Sequence, residues 1–361
     1  MSFKIGTVNL SSKCWVVRPG SRYRFVSEFI ENEIIATGHL DNLQINELTF
    51  IEPITQENKA RSLEGFDSIM GKNVKPQIEN FVIDMQVGDV VFTLNSSYVI
   101  PGIIKSEPYY SRDSFSESEG FHVRRRVKWG EPIPRKKIPI TIQKSFNAYQ
   151  AIFSLGDNSK EVFHWLSSFF IDGNDYYSSL RIEQPGALKH HTLKQLAELI
   201  DRIQVLSIMI SRYHSNEEIN AENSLTVSYE ALQSAMLQYS DEGLLDLTSQ
   251  QILMSPGDLW LKFSNQSRCA GVAFLYLMLT ITGINSAQAL EFTNESHAQE
   301  LEEIVEIIDA NSSVLGHELD ISSIRRQLML KPAAQNSEFV DSNIIEQNDF
   351  PEDGDAIHIG G

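Results

Sequence analysis

The residues best equipped for chemistry are a cluster of cations and a pair of tyrosines. From His122 to Lys137 the chain carries seven basic side chains, Arg124, Arg125, Arg126, Lys128, Arg135, Lys136 and Lys137, against one acid, Glu131. The net charge of all 361 residues is −18, so this local positive excess runs against the rest. Such a cluster is either a solvated strand face or a phosphate-binding surface, and on charge alone the solvated face is the preferred reading. Just before it, Tyr109 and Tyr110 follow Pro108 in a polar, serine-rich loop, where two rings have no evident packing task. A catalytic engine is not visible. There is no P-loop, nucleophile elbow, glycine-rich dinucleotide motif or zinc-protease helix. Asp172, Asp175 and Glu183 lie near Lys189 and Lys194, but Pro185 and Gly186 interrupt them and no strand carries the spacing of a magnesium nuclease. His190 and His191 have no third ligand at metal spacing. The expectation is a binding protein rather than an enzyme, without metal or cofactor, with a cryptic nuclease as one alternative.

These side chains need a scaffold. Strand-like runs at 89–94 and 98–105 are separated by Asn95, Ser96 and Ser97, and a third run at 121–129 holds the arginines. In that third run Phe121, Val123, Val127 and Trp129 share one side, and His122, Arg124, Arg126 and Lys128 the other. Arg125 falls on the apolar side, where a guanidinium must find an acceptor, meet a bulge or open into a cavity. Upstream, 14–17 and 34–37 read as strands, with helices at 21–33, 65–69 and 76–85. Pro132, Pro134 and Pro139 enforce an extended exit. From 146 onward the apolar period shifts from two to about 3.6, predicting helices at 161–170, 192–213, 227–239, 244–254, 267–282, 298–310 and 321–330. The fold class is therefore α+β. A mixed β-sheet or open barrel occupies 1–145, an all-α domain 146–330, and a disordered acidic tail 331–361.

Several short motifs carry a resemblance. They are Trp15-Val16-Val17-Arg18-Pro19-Gly20 with Phe25 and Phe29 after it, the strand Ile34-Ile35-Ala36-Thr37-Gly38, Gly88-Asp89 before a strand, Gly102 within the next, the tyrosine pair, and Arg124-Arg125 four residues ahead of Trp129. Together they resemble an EVE-like domain of the PUA superfamily, in the version found at the N-terminus of bacterial restriction and anti-phage defence proteins. The resemblance covers about the first 140 residues, and His39 stands where that family often has a tryptophan. It implies a small curved sheet, or PUA-like open barrel, with a pocket that stacks a base swung out of nucleic acid. A modified base would gain contacts there that a plain base lacks. On this resemblance the base-pocket candidates are Trp15, Arg18, Phe25, Tyr109, Tyr110 and Trp129. The phosphate candidates are Arg112, Arg124, Arg126 and Lys128. On sequence alone Trp15 and Trp129 read more readily as core than as a cage, Phe25 also as a pin between the first helix and the sheet, and Arg18 equally as a turn residue.

Composition limits the setting. The two cysteines, Cys14 and Cys269, make no disulfide framework and no metal spacing, so a cytoplasmic location is expected. The most apolar run, 269–284, is too short to span a bilayer comfortably, and no membrane role is expected. Residues 1–140 hold 18 Lys and Arg against 17 Asp and Glu, whereas 141–361 hold 12 against 31. The resemblance implies nucleic acid, expected to be modified DNA, as the partner of the first part, and the charge split points to an unknown protein partner for the acidic helical part. The chain ends in Gly360-Gly361. A free diglycine carboxylate suits ubiquitin-like conjugation through Gly361, because glycines thread a narrow channel, but no recognisable β-grasp domain precedes it and a plain chain end is the preferred reading. The leading expectation is a reader of modified bases in an anti-phage setting.

Overall fold

Short, continuously apolar runs build the first sheet. The computed structural model describes residues 2–41, 57, 59, 60, 63, 71–116, 120–156, 158–215, 225–252, 256–284 and 287–333. After β1 (Phe3–Ile5) come β2 (Cys14–Val17), α1 (Val26–Glu31), β3 (Ile34–Thr37) and α2 (Lys75–Glu79), which continues into a π-helical turn at Asn80–Asp84. Next come β4 (Val90–Leu94), β5 (Tyr98–Ile104), β6 (Tyr109–Tyr110), β7 (Val123–Trp129), β8 (Ile133–Pro134) and β9 (Ile152–Ser154). They form one curled sheet, a half-barrel, in the order β3-β7-β5-β4-β2-β9, with β6 beside β7 and β8 beside β5. β2 and β4 run parallel and the other pairs antiparallel. All residues of β2 and β4 are buried, because both faces of the sheet are covered. Trp15, Val17 and Val91 face Phe29, Phe81 and Val82 of the helical side. Cys14, Val16 and Phe92 face Phe146, Phe163, Trp165 and Phe170.

Arg125 resolves its three-way choice by finding acceptors. It is fully buried. Its Nε donates to Phe81 O at 2.8 Å, Nη2 to Val82 O at 3.1 Å and Met85 O at 2.9 Å, and Nη1 to Ser106 O at 3.1 Å. Glu107 lies 3.5 Å away. The first three carbonyls belong to the C-terminal end of the α2–π segment, where partial negative charge gathers. Burial pulls the guanidinium down to about 10, against the pull of Glu107, so it remains charged at neutral pH.

The later residues depart from the all-α expectation. α3 (Ser159–Leu166) is followed by β10 (Phe169–Asp172) and β11 (Asp175–Ile182), then α4 (His190–His214) and α5 (Tyr229–Asp241). After β12 (Leu247–Ile252) and β13 (Gly257–Ser264) come α6 (Arg268–Thr280), β14 (Leu290–Phe292), α7 (Glu295–Asn311), α8 (Ile321–Leu328) and β15 (Leu330–Pro332). The strands form a five-stranded antiparallel sheet, β10-β11-β13-β12, with β15 also on β11. The helix expected at 244–254 is thus the edge strand β12, and the helix expected at 161–170 stops at Leu166. The physical reason is period-two alternation: Tyr176, Leu180 and Ile182 with Leu259, Leu261 and Phe263 join the helical core, while Tyr177 packs against the half-barrel. The long helices lie where the 3.6-residue period placed them. α6, apolar on every side, is the central one, with residues 269–279 all buried.

The two parts are laced together. β9 pairs with β2 although it lies past residue 145, and β1 pairs in parallel with β14, Phe3 opposite Leu290. Among the described residues no helix is long and apolar enough to cross a membrane. The helix expected at 65–69, nearly all of the tail and Gly361 lie outside the described residues.

Candidate functional site

A cleft of about 600 Å³ opens at one end of the half-barrel. Its walls come from the turn after β2 (Arg18, Gly20, Arg22, Tyr23, Arg24), the end of β3 (Thr37, His39, Asp41), Phe121 ahead of β7, and Tyr149 and Ile152 around the start of β9. The backbone here is unusual. Arg22, Tyr23 and Phe121 have φ of 57°, 62° and 49°, a left-handed region that costs side-chain-bearing residues on the order of 1 kcal/mol or more each. Gly20 is required where it stands: its φ is 74°, its ψ 179°, and a Cβ would come 2.7 Å from the Phe25 ring. Phe25 backs the wall, with its ring centre 5.0 Å from that of Phe121.

Asp41 fixes the opposite wall. Its carboxylate accepts backbone N–H bonds from Gly120 at 3.1 Å, Phe121 at 2.9 Å and His122 at 3.3 Å. That clamp holds the entrance to β7 against the end of β3. His39, half-buried beside it, has an Nε2 with no partner among the described residues. Burial lowers its pKa, against the opposing effects of Gln77 and Asp41, so the imidazole is neutral at pH 7. Gln77 secures the floor, its Oε1 accepting from the backbone N–H groups of Ala151 at 2.8 Å and Ile152 at 3.0 Å.

The charge of the cleft is positive. Arg18 is anchored by three backbone carbonyls: Nε donates to Gln150 O at 3.1 Å, and Nη2 to Phe146 O at 3.2 Å and to Ala148 O. Its Nη1 donates to the Tyr23 hydroxyl at 3.3 Å. Arg22 and Arg24 stand exposed on the rim, and Tyr149 is fully exposed. Three guanidinium groups and accessible rings over a neutral imidazole suit an anion that carries a flat ring.

The sequence-derived candidates separate. Arg18 lines the cleft, and Phe25 lies just behind it. Trp15 is fully buried, its indole donating to Asp89 at 2.8 Å, and Trp129 is half-buried, its indole donating to Phe29 O at 2.8 Å. Tyr109 and Tyr110 form β6 alongside β7. The Arg126 guanidinium sits 5.9 Å from the Tyr109 ring centre, and Tyr110 stacks on His122 at 5.3 Å. Arg124 turns inward, donating to Phe121 O at 2.9 Å and to Asp113 O, with its guanidinium 4.7 Å from the Phe115 ring centre. Arg112, Arg126 and Lys128 are exposed. Of the base-pocket six, only Arg18 touches the cleft. The wall residues not anticipated are Arg22, Tyr23, His39, Asp41, Phe121 and Tyr149. One signal was available for them, since Arg18, Arg22 and Arg24 put three cations within seven residues.

Elsewhere, the three carboxylates of the nuclease alternative are not brought together. Asp172 and Asp175 face each other across the β10–β11 turn, while Glu183 lies beyond the far end of β11 and pairs with Lys331 at 2.6 Å. Asp175 is held by Lys262 at 2.7 Å and Ser264 at 2.6 Å. Among the described residues no group of three His, Cys, Asp or Glu side chains is placed to hold a metal ion. A second cavity, of about 330 Å³, lies between residues 131–139 and the second sheet, and His164 is on its wall.

No curated protein matches the chain. A family model described as a domain of unknown function (DUF8426) matches residues 15–155, a stretch that runs from β2 to the residue after β9 and so takes in the strands of the half-barrel and the whole cleft.

Proposed function

We propose that the cleft receives a single nucleotide of a nucleic acid and reads a modified or unusual base. The observation that carries this reading is the convergence of Arg18, Arg22 and Arg24 with Tyr23, Phe121 and Tyr149 around one opening of nucleotide size. Cations draw in the phosphate chain, and an exposed ring offers a stacking surface worth about 1–3 kcal/mol per base. The resemblance of the first 140 residues to EVE-like domains supports the same reading, and with it an anti-phage setting. The site shifts, however, from the tyrosine pair of β6 to the turn after β2. Arg126 and Lys128 are outward-facing companions that track a backbone.

The test is titration of the full chain with short strands bearing 5-methylcytosine, 5-hydroxymethylcytosine, N6-methyladenine or no modification, at two salt concentrations. One modification is expected to be preferred, and Tyr149→Ala and Arg22→Ala each to weaken binding severalfold. Equal binding of all strands, unaffected by both substitutions, would count against a base-reading cleft and leave only a salt-sensitive surface.

A further inference from the structure

Two cations of like charge share one phenol beside the cleft. Arg18 Nη1 and Arg135 Nη2 donate to the Tyr23 hydroxyl oxygen at 3.3 and 3.5 Å. Their guanidinium carbons lie 6.0 and 5.6 Å from the centre of the Tyr23 ring. The three residues come from separate stretches: the end of β2, the strained turn after it, and the 3-10 turn Arg135–Lys137 after β8. Neither arginine forms an ion pair with a carboxylate among the described residues. Like charges this close repel, and an arrangement without a counter-charge is incomplete.

Counting donors makes the gap specific. A guanidinium has five N–H groups. Arg18 places one on Gln150 O, two on Phe146 O and Ala148 O and one on Tyr23, leaving a single Nη1 hydrogen. Arg135 places one on Tyr23, and its Nε is closed off from water with no partner among the described residues. The Tyr23 oxygen accepts from both arginines and keeps its own hydrogen to donate. Converging N–H and O–H donors with two uncancelled positive charges describe a receptor for an oxyanion, and the planar forks suit phosphate better than an ammonium would.

We infer that Arg18, Tyr23 and Arg135 form a phosphate receptor at the edge of the cleft. The inference rests on the nucleotide-reading cleft for its biological ligand, the sugar-linked phosphate of the nucleotide whose base is read, but the receptor itself is defined by its own geometry. Strained φ at Tyr23 is then understandable, because it carries the phenol to the point where both guanidinium groups can reach it.

The test uses the full chain and three probes: inorganic phosphate, a nucleoside 5′-monophosphate and a short unmodified strand. Calorimetry is expected to show millimolar binding of inorganic phosphate. Tyr23→Phe, which keeps the ring and removes only the hydroxyl, and Arg135→Gln should each weaken it about tenfold. Arg135→Lys should restore little, since the fork is lost. If a strand supplies the phosphate, Arg135→Gln lowers affinity for modified and plain strands alike. If only the mononucleotide responds, the receptor serves free nucleotides. The inference is overturned if wild-type protein does not bind phosphate, or if Tyr23→Phe and Arg135→Gln bind it as tightly as wild type. The two readings fail separately. Strands told apart by a protein indifferent to Tyr23→Phe would sink the receptor alone, and phosphate bound by a protein that binds no strand would sink the base reading alone.

Discussion

At the scale of single residues, the buried charge of Arg125 ties β7 to the α2–π segment and to Ser106 through four backbone carbonyls. Arg125 interrupts an apolar strand face, and that interruption is legible without coordinates. That it reaches four backbone carbonyls is not, because three of them lie about 40 residues upstream. Removing a buried charge that satisfies so many acceptors leaves them unpaired. Arg125→Met is expected to lower stability by about 3–5 kcal/mol in urea unfolding, and a loss within about 0.5 kcal/mol, typical of surface changes, would show that the network is dispensable. His164 makes a second residue-level prediction. It is buried, stacked 4.9 Å from Trp260, with Nδ1 2.7 Å from the Ser179 hydroxyl, and burial pulls its pKa down from 6.5 to about 3. Between those two values the unfolded chain takes up a proton that the folded chain refuses. The stabilising preference is therefore complete above the unfolded value and is lost as pH falls toward the folded one. The slope from this one group is on the order of 1.4 kcal/mol per pH unit. His164→Phe keeps a stacking ring and should flatten the acid limb of the stability profile, whereas an unchanged limb would mean that other groups dominate it. His164 also shows what a sequence cannot display, since its stacking partner lies 96 residues away.

At the scale of elements, two different signals were legible. The long helices α4, α6 and α7 were readable because each repeats its period several times, and β2 to β5 because each is a short apolar run bounded by turn residues. β11 and β13 were missed although both alternate, because they sit among strong helical signals and β11 joins two cores rather than one solvated face. Their packing explains one glycine. A Cβ at Gly271 would stand 2.0 Å from the Tyr176 ring, so α6 lies directly on β11. Gly271→Ala should destabilise by about 1–3 kcal/mol through overpacking, despite its gain in helix propensity. Pairing it with Tyr176→Val should recover part of that loss in a double-mutant cycle, and strict additivity would show that the ring is not the obstacle.

At the scale of the whole molecule, the half-barrel depends on residues C-terminal to it. One face of the first sheet is covered by Phe153, Phe163, Trp165, Phe170 and Tyr177, all beyond residue 145. A chain cut after residue 145 loses β9 and this cover and exposes Val16, Phe92 and Leu94. It is expected to self-associate and to unfold without a cooperative transition, whereas a chain ending at Ala333 keeps both; a monomeric, cooperative 1–145 fragment would refute the dependence. Charge and apolar period both change near that point, while the packing of the first sheet runs across it. The cleft was only partly legible for a related reason: its walls come from four stretches, and only the arginine-rich one announces itself. The pairing of β1 with β14 adds a constraint measured in time. Phe3 cannot meet Leu290 until some 287 further residues have been made. At typical synthesis rates that is a wait of roughly 15 to 60 seconds. Until then Phe3 has Phe169 to pack on but β1 has no strand to pair with, so this strand is where a nascent chain would call on a chaperone.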